Sequence, residues 1–350
     1  MFSFRTTAIG EQPDRGLMDG RVACFCTQGS WNSATQTYLS DIFRSRGNLA
    51  REFTPTEDGP GAGRIDFSAG DLEGLDAVVV EIQDTGVRYF NYTRDVMRLL
   101  STRARMEEGP SIYIVDHVNP AGRVVEGTIP VLDPGPWIPK VAHRHGLTLG
   151  ELCYLWCEET GARIPLHVIS ALTSDAGREL LPWTIPPSPD IPGMFTCDMF
   201  SGGALWTETN ITPGLGTTRP YEYIGAPYVS NAAIPPSPQG VLMRPSSFTP
   251  AQGLYAGETC HGYQIILLPG AHYHSLLHTV QLIRWFSEHY SMFEVTPALL
   301  DRIADPVISE YLRGNITFDI VQEHVKLEEQ KWIRKAKRYL LYEDVPYRIK

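Results

Sequence analysis

The 350-residue sequence predicts an α/β fold: a Rossmann-like parallel sheet in the N-terminal part, then a smaller α/β C-terminal part. Three observations predict it. Short apolar runs, GRVACFCTQ (20–28), LDAVVVEIQD (75–84) and SIYIVDHVNP (111–120), each end in polar residues. Amphipathic helical stretches separate them, and strands spaced by helices form βαβ units with right-handed crossovers. Hydrophobic residues make up 43% and charged residues 20%, enough apolar side chain to build one large or two ordinary cores.

The elements follow in order. The run 20–28 reads as the first strand. SATQTYLSDIFRSRG (33–47) reads as a helix stopped by Gly47, and 75–84 as a buried strand turning at Thr85-Gly86. TRDVMRLLSTRARMEEG (93–109) reads as an amphipathic helix ending in glycine. The strand 111–120 ends in Asp116 and is stopped by Asn119-Pro120. From about 120 to 255 the chain is rich in proline and glycine, densest at LPWTIPPSPDIPG (181–193) and AAIPPSPQG (232–240). Recurring Tyr, Trp and Phe make these ordered, packed loops, with one helix at ELCYLWCEE (151–159) and Thr148 as its N-cap. YQIILLP (263–269) reads as a strand. SLLHTVQLIRWFSEHY (275–290), PALLDRIAD (297–305) and DIVQEHVKLEEQKWIRKAKRYLLY (319–342) read as helices. A boundary within 165–200 gives two domains, 1–180 and 181–350.

The formal net charge is −10, which argues against nucleic acid and anionic membranes as partners. No apolar run approaches the ~20 residues of a spanning helix. MFSFRTTAIGEQPDRG shows no signal-peptide core, so the expectation is a soluble, cytoplasmic protein without membrane insertion. Cysteines 24, 26, 153, 157, 197 and 260 lack zinc-site spacing and read as buried free thiols. His272, His274 and His278 form H-x-H-x-x-x-H without an acidic partner, and no metal is expected. No G-x-G-x-x-G follows the first strand, GPGAG (59–63) lacks the lysine of a P-loop, and no G-x-S-x-G is present, so no organic cofactor and no serine nucleophile are expected.

Ligands of open α/β sheets bind beyond the carboxyl ends of the strands. Three ends carry polar residues: Thr27-Gln28, then Glu81-Gln83-Asp84, then Asp116 with Asn119. Neighbouring strands lie ~4.8 Å apart, so these carboxylates can converge, an arrangement suited to glycoside cleavage. The plainer reading has Asp84 capping the helix that starts near Tyr92 and Asp116 closing an Asx-turn. His143, Arg144 and His145 are anion-binding candidates or ordinary hydrogen-bond partners. ETNITPGLGTTRPYEYIGAP (208–227) groups Glu208, Asn210, Thr217, Thr218, Arg219 and Glu222 among glycines and aromatics. Its arginine suits a carboxylate, Tyr221 and Tyr223 suit sugar faces, and its lack of periodicity fits a binding loop.

EIQDTGVRYFNY (81–92) resembles the D-I-Q-D-V-G-x-R-F-Y-T-Y signature of the NamZ (YbbC-like) exo-β-N-acetylmuramidases. Further stretches match in the same order. CTQG (26–29) is similar to T-N-Q-T-G, DHVNPAGRVVEG (116–127) to D-R-P-N-P-x-x-G…x-E-G, and HRHGLTLGEL (143–152) to V-R-H-G-M-T-x-G-E-L. PPSPDIP (186–192) resembles P-P-S-P-N-M-P, and 208–227 resembles G-T-N-x-S-x-G-R-G-T-T-R-P-F-E-x-I-G-A-P. RPSSFTP…YAGETCHGYQ (244–264) resembles R-P-x-x-F-x-P…Y-x-G-x-x-C-x-G-V-Q.

The resemblance implies a Rossmann-like N-terminal domain and a smaller α/β C-terminal domain with the site in the cleft between them. It implies release of terminal N-acetylmuramic acid from peptidoglycan fragments, without metal or organic cofactor, on a small-molecule or oligosaccharide substrate. The carboxylate set is Glu57, Glu81 and Asp84. The substrate-binding set is Gln28, Arg88, Asp116, Asn119, His145, Asn210, Thr218, Arg219 and Glu222, with Arg88 or Arg219 on the lactyl carboxylate. The sequence departs from the family at three places. FTPTEDGPG (53–61) stands where the family has P-E-H-G, so either Glu57 supplies the acid after a one-residue shift or Thr56 replaces it. Gly214-Leu215-Gly216 stands for G-R-G, and Thr207-Glu208-Thr209-Asn210 for E-G-T-N. Two alternatives therefore accompany the hydrolase reading: a different reaction in specialised metabolism, and a non-catalytic sugar-binding protein.

Overall fold

The structure is a computed structural model. It describes residues 20–32, 36–55, 65–117, 119–132, 137–170, 186–230, 233–342 and 348–349. Glu57, Thr56 and the GPGAG loop lie outside the described residues, as do 181–185 of the first proline-rich stretch.

The chain divides into two compact units. Unit one comprises Met1–Arg123, Gly146–Pro189 and Ala336–Pro346; unit two comprises Val124–His145, Asp190–Lys335 and Tyr347–Lys350. The strands are β1 (Val22–Cys26), β2 (Leu49–Phe53), β3 (Ala77–Glu81), β4 (Ser111–Asp116), β5 (Val124–Val125), β6 (Leu166–Ser170), β7 (Tyr223–Ala226), β8 (Val241–Phe248), β9 (Cys260–Leu267) and β10 (Arg348–Ile349). The helices are α1 (Leu39–Arg46), α2 (Ala69–Leu72), α3 (Asn91–Ala104), α4 (Leu149–Thr160), α5 (Met194–Gly203), α6 (Ser275–His289), α7 (Ala298–Ile303), α8 (Pro306–Leu312) and α9 (Phe318–Ala336).

Unit one is the expected Rossmann-like sheet, five parallel strands in the order β2-β1-β3-β4-β6. Its inner strands β1 and β3 are apolar along most of their length because both of their faces are covered. On one face Val22, Cys24, Cys26, Ala77, Val79 and Val115 pack with Phe43 of α1. The alternate residues Val78, Val80, Ile112 and Ile114, also buried, face the other way. Burying each such side chain contributes roughly 1.5–3 kcal/mol. Gly47 closes α1 in the left-handed conformation, as its position predicts. Thr148 caps α4, its hydroxyl accepting from the Glu151 amide while Glu151 returns to the Thr148 amide.

Unit two holds a smaller antiparallel sheet in the order β7-β9-β8, and a parallel pairing of β5 with β10. Tyr263 of β9 packs edge-on against Trp285 of α6 at 6.1 Å, and Phe286 of the same helix meets Trp206 at 5.7 Å. The two sheets together give the predicted α/β class.

Several expectations shift. The helix expected over 93–109 ends at Ala104, and the acidic Glu107 and Glu108 lie beyond its negatively polarised end. The middle of the chain is not all loop: β6, β7, β8 and α5 lie there. All six cysteines are buried free thiols. Among the described residues no helix is long and apolar enough to cross a membrane.

Candidate active site

The strand order places a topological switch point between β1 and β3, since the chain winds outward from β1 to β2 on one side and through β3, β4 and β6 on the other. What β1 and β3 carry past their carboxyl ends is therefore the first place to look. Past β1 come Thr27, Gln28 and Gly29. The Gln28 amide donates to the Pro186 carbonyl at 2.8 Å, tying this turn to the proline-rich segment of the same unit. Ser30 donates to the Glu81 carbonyl, and its hydroxyl accepts from the Thr27 amide at 2.8 Å, which locks the end of β1 against that of β3.

Glu81 ends β3 in register with Cys26 on one side and Val115 on the other. Side chains alternate, so the residue sharing its face at the end of β4 is His117, two beyond Val115. The imidazole Nε2 stands 3.4 Å from Glu81 Oε1, with the histidine side chain 27% exposed. Asp116 has the opposite parity and leaves on the other face. It accepts from the Thr148 hydroxyl at 2.6 Å and the Gly150 amide at 2.8 Å, at the N-terminus of α4. Glu81 and Asp116 thus do not converge as strand spacing alone predicts. Burial pushes the Asp116 carboxyl up to about 6 against those hydrogen bonds.

Asp84 sits in the turn after β3, almost wholly buried. It accepts from the Thr93 hydroxyl at 2.8 Å and the Thr85 amide at 2.8 Å, so it anchors the first turn of α3 through a side chain. Burial outweighs these bonds and raises the carboxyl to about 6. The turn continues through Gly86, at φ 75°, where an added Cβ would collide with the Asn119 amide. Asn119 accepts from the Ala121 amide at 2.9 Å and donates to the Leu147 carbonyl at 3.3 Å. Its side chain therefore ties the loop after β4 to the segment before α4, lying close against Gly86. Arg88 is completely buried, donating to the Tyr89 hydroxyl at 2.8 Å with its guanidinium 5.0 Å from that ring's centre.

The remaining candidates belong to unit two. The Asn210 amide donates to the Met292 carbonyl at 2.7 Å, and its oxygen accepts from the Tyr228 hydroxyl at 2.6 Å and the Glu294 amide at 2.9 Å. Arg219, 53% exposed, pairs with Glu222 at 3.0 Å, and Thr218 beside it is exposed. Glu208 is held by Arg302 at 2.8 Å and by the Thr296 hydroxyl at 2.7 Å. His145 is buried, and its carbonyl accepts from the Trp332 indole at 2.9 Å.

Sequence reasoning missed His117 and a chain of charges in unit two. Arg144 bridges Glu126 at 2.8 Å and Asp198 at 2.7 Å, the arginine and Glu126 buried and Asp198 29% exposed. Glu126 continues to His274 at 3.6 Å, and His274 to Glu329 at 2.7 Å. Burial pulls His274 down, but Glu329 and Glu126 outweigh it and hold the imidazole above its ordinary value. Burial lowers His278 to about 4; its ring nitrogens meet the Tyr273 hydroxyl and the Pro236 carbonyl, both at 3.1 Å. Among the described residues no group of three or more His, Cys, Asp or Glu side chains is placed to share a metal ion. Strand parity identifies His117. The arginine-centred chain draws on residues from 126 to 329 and has no local signature.

The models of the N-terminal and C-terminal domains of the exo-β-N-acetylmuramidase NamZ match residues 64–194 and 199–342. The chain belongs to this family, as its motifs predict. Over 289 residues it is 27% identical to the peptidoglycan β-N-acetylmuramidase NamZ of Bacillus subtilis (strain 168), covering 77% of this chain and 68% of that protein. Its fold is similar to two crystal structures of DUF1343 family proteins from Bacteroides fragilis NCTC 9343. Both give a TM-score of 0.74 and cover 94% of this chain; one is 22% identical with 95% of its own chain covered, the other 18% with 96%. Glu57 precedes the segment matched by the N-terminal model.

Proposed function

We propose that the protein is a glycosidase that releases terminal N-acetylmuramic acid, or a related amino sugar, from peptidoglycan fragments. The observation that carries this reading is the match of both halves of the chain to one exo-muramidase family. The carboxyl edge of the sheet supports it. Glycoside cleavage needs one carboxyl that holds a proton near working pH and a second that serves the anomeric carbon. Asp84, raised to about 6, has the ionisation of the first. It gives its proton to the glycosidic oxygen as the bond from that oxygen to the anomeric carbon breaks. Glu81, beside His117, is the second carboxylate at this edge. It meets the anomeric carbon directly or takes a proton from the water that attacks it. Glu57 completes the set, standing nearest the place where the resemblance puts the family's acid. Gln28 and Asn119, at the carboxyl edge of unit one, are proposed to hold the substrate, with Asp116 shaping the loop beside them.

One observation favours a second reading, a changed reaction on the same scaffold. Glu208, one residue on from the family's glutamate position, is consumed by Arg302 and Thr296. Hydrolysis of a chromogenic β-N-acetylmuramide, compared with the corresponding N-acetylglucosaminide, separates the readings. Release from the muramide alone is expected. Release from neither, with folded protein, favours the changed reaction.

A further inference from the structure

The segment RPSSFTP…YAGETCHGYQ builds much of β8 and β9 of unit two. The antiparallel register sets Tyr223, Gln264 and Arg244 side by side across β7, β9 and β8. One step along, Gly225 lies beside Gly262, and at the far end Phe248 lies beside Cys260. Directly opposed residues share a face, so Tyr223, Gln264, Arg244 and Phe248 point the same way. Ile224, Tyr263 and Ile265 point the other way, into the core with Trp285 of α6.

Tyr223 and Phe248 start on opposite edge strands, with β9 between them. Their rings nevertheless stack, 4.9 Å apart and 12° from parallel. They meet across the middle of the sheet because Gly225 and Gly262 place no side chain there. A Cβ on Gly225 would stand 3.2 Å from a Phe248 ring atom, and one on Gly262 would run into the Ile224 carbonyl. Both rings are half-buried. Arg244, at the level of Tyr223, donates from Nε and Nη2 to the Gln264 side-chain oxygen Oε1 at 3.0 and 2.7 Å. Gln264 is buried and Arg244 exposed, so a fixed amide orients a guanidinium whose Nη1 edge is open to ligand. Among the described residues Arg244 takes part in no ion pair. Arg88 is completely buried and Arg219 is turned to Glu222.

A stacked aromatic pair accepts the C–H face of a pyranose on its electron-rich surface. An oriented guanidinium accepts a carboxylate through two parallel hydrogen bonds. Tyr223 and Arg244 are two strand spacings apart, ~10 Å between backbones. One pyranose with an acidic side arm crosses that span. We propose that this face reads an acidic amino sugar: the Tyr223–Phe248 stack takes the ring, and Arg244, positioned by Gln264, takes the carboxylate of a lactyl-type side arm. This specificity role rests on the glycosidase reading above.

The test is calorimetric titration of the full chain with N-acetylmuramic acid and with N-acetylglucosamine, which lacks the lactyl ether. Wild type is expected to prefer the muramic acid by about tenfold or more, the scale of one charge-assisted bidentate contact. Arg244→Met is expected to bind both sugars alike, and Arg244→Lys to recover part of the preference. Phe248→Leu is expected to weaken both sugars with their ratio kept. If that variant does not fold, the exposed Arg244 variants decide the matter. Wild type binding neither sugar, or Arg244→Met keeping the wild-type ratio, would overturn the proposal. Turnover of the chromogenic muramide separates it from the reading beneath it. An Arg244-dependent preference without turnover supports the sugar reader and removes the hydrolase. Turnover with KM unchanged in Arg244→Met supports the hydrolase and removes the reader.

Discussion

Asp84 in unit one and Glu126 in unit two are both deeply buried carboxyls, and their surroundings differ in kind. Glu126 faces the Arg144 guanidinium at 2.8 Å, within a chain that runs on to Asp198, His274 and Glu329. Asp84 is held by a threonine hydroxyl and turn amides, and burial raises it to about 6. A buried carboxylate matched by a guanidinium is scaffold: the pair fixes the segments that carry it. A buried carboxyl that titrates near neutrality can move a proton. On the proposed reading, the Arg144 chain is structure and the edge of the parallel sheet carries the chemistry.

The largest effect that would break this contrast is on stability. Arg144→Met leaves Glu126 and Asp198 without their shared cation, and removing one partner of a buried pair costs about 3–5 kcal/mol. Urea unfolding checks it, and an unchanged midpoint would remove the scaffold role. Asp84→Asn is expected to do the reverse: the fold holds while turnover of the muramide falls about 10²–10⁴-fold.

The pH dependence sharpens the comparison. The folded values of Asp84 and Asp116, about 6, lie above the ordinary 3.8. Between these values the folded chain binds protons that the unfolded chain has lost, so stability declines as pH rises through that window. Urea unfolding at steps across the window is expected to show this decline, and Asp84→Asn to flatten part of it. The smallest effect is that of Thr93→Val. It removes a hydrogen bond that stabilises the Asp84 carboxylate, costs about 1 kcal/mol, and moves the alkaline limb of the rate profile upward.

Much of unit one was legible. β1, β3 and β4 are unbroken apolar runs because both their faces are buried, and Thr148 with Glu151 announces α4. β2 was not legible: it is an edge strand whose central residues are exposed, so LAREF shows neither an apolar run nor clean alternation. β8 hid behind Pro245, which a strand accommodates only where it lies at an edge, as β8 does. The residue types at the carboxyl edge were legible, but their partners were not. Parity separates Asp116 from Glu81 and supplies His117 instead. The loop that would place Glu57 lies outside the described residues.

The most direct measurement is turnover of the chromogenic β-N-acetylmuramide by the wild type, Glu81→Gln and Asp84→Asn side by side. The prediction is release by the wild type and a loss of about a hundredfold or more in both folded variants. Both variants turning over at the wild-type rate would contradict a catalytic role for the carboxyl edge of the parallel sheet.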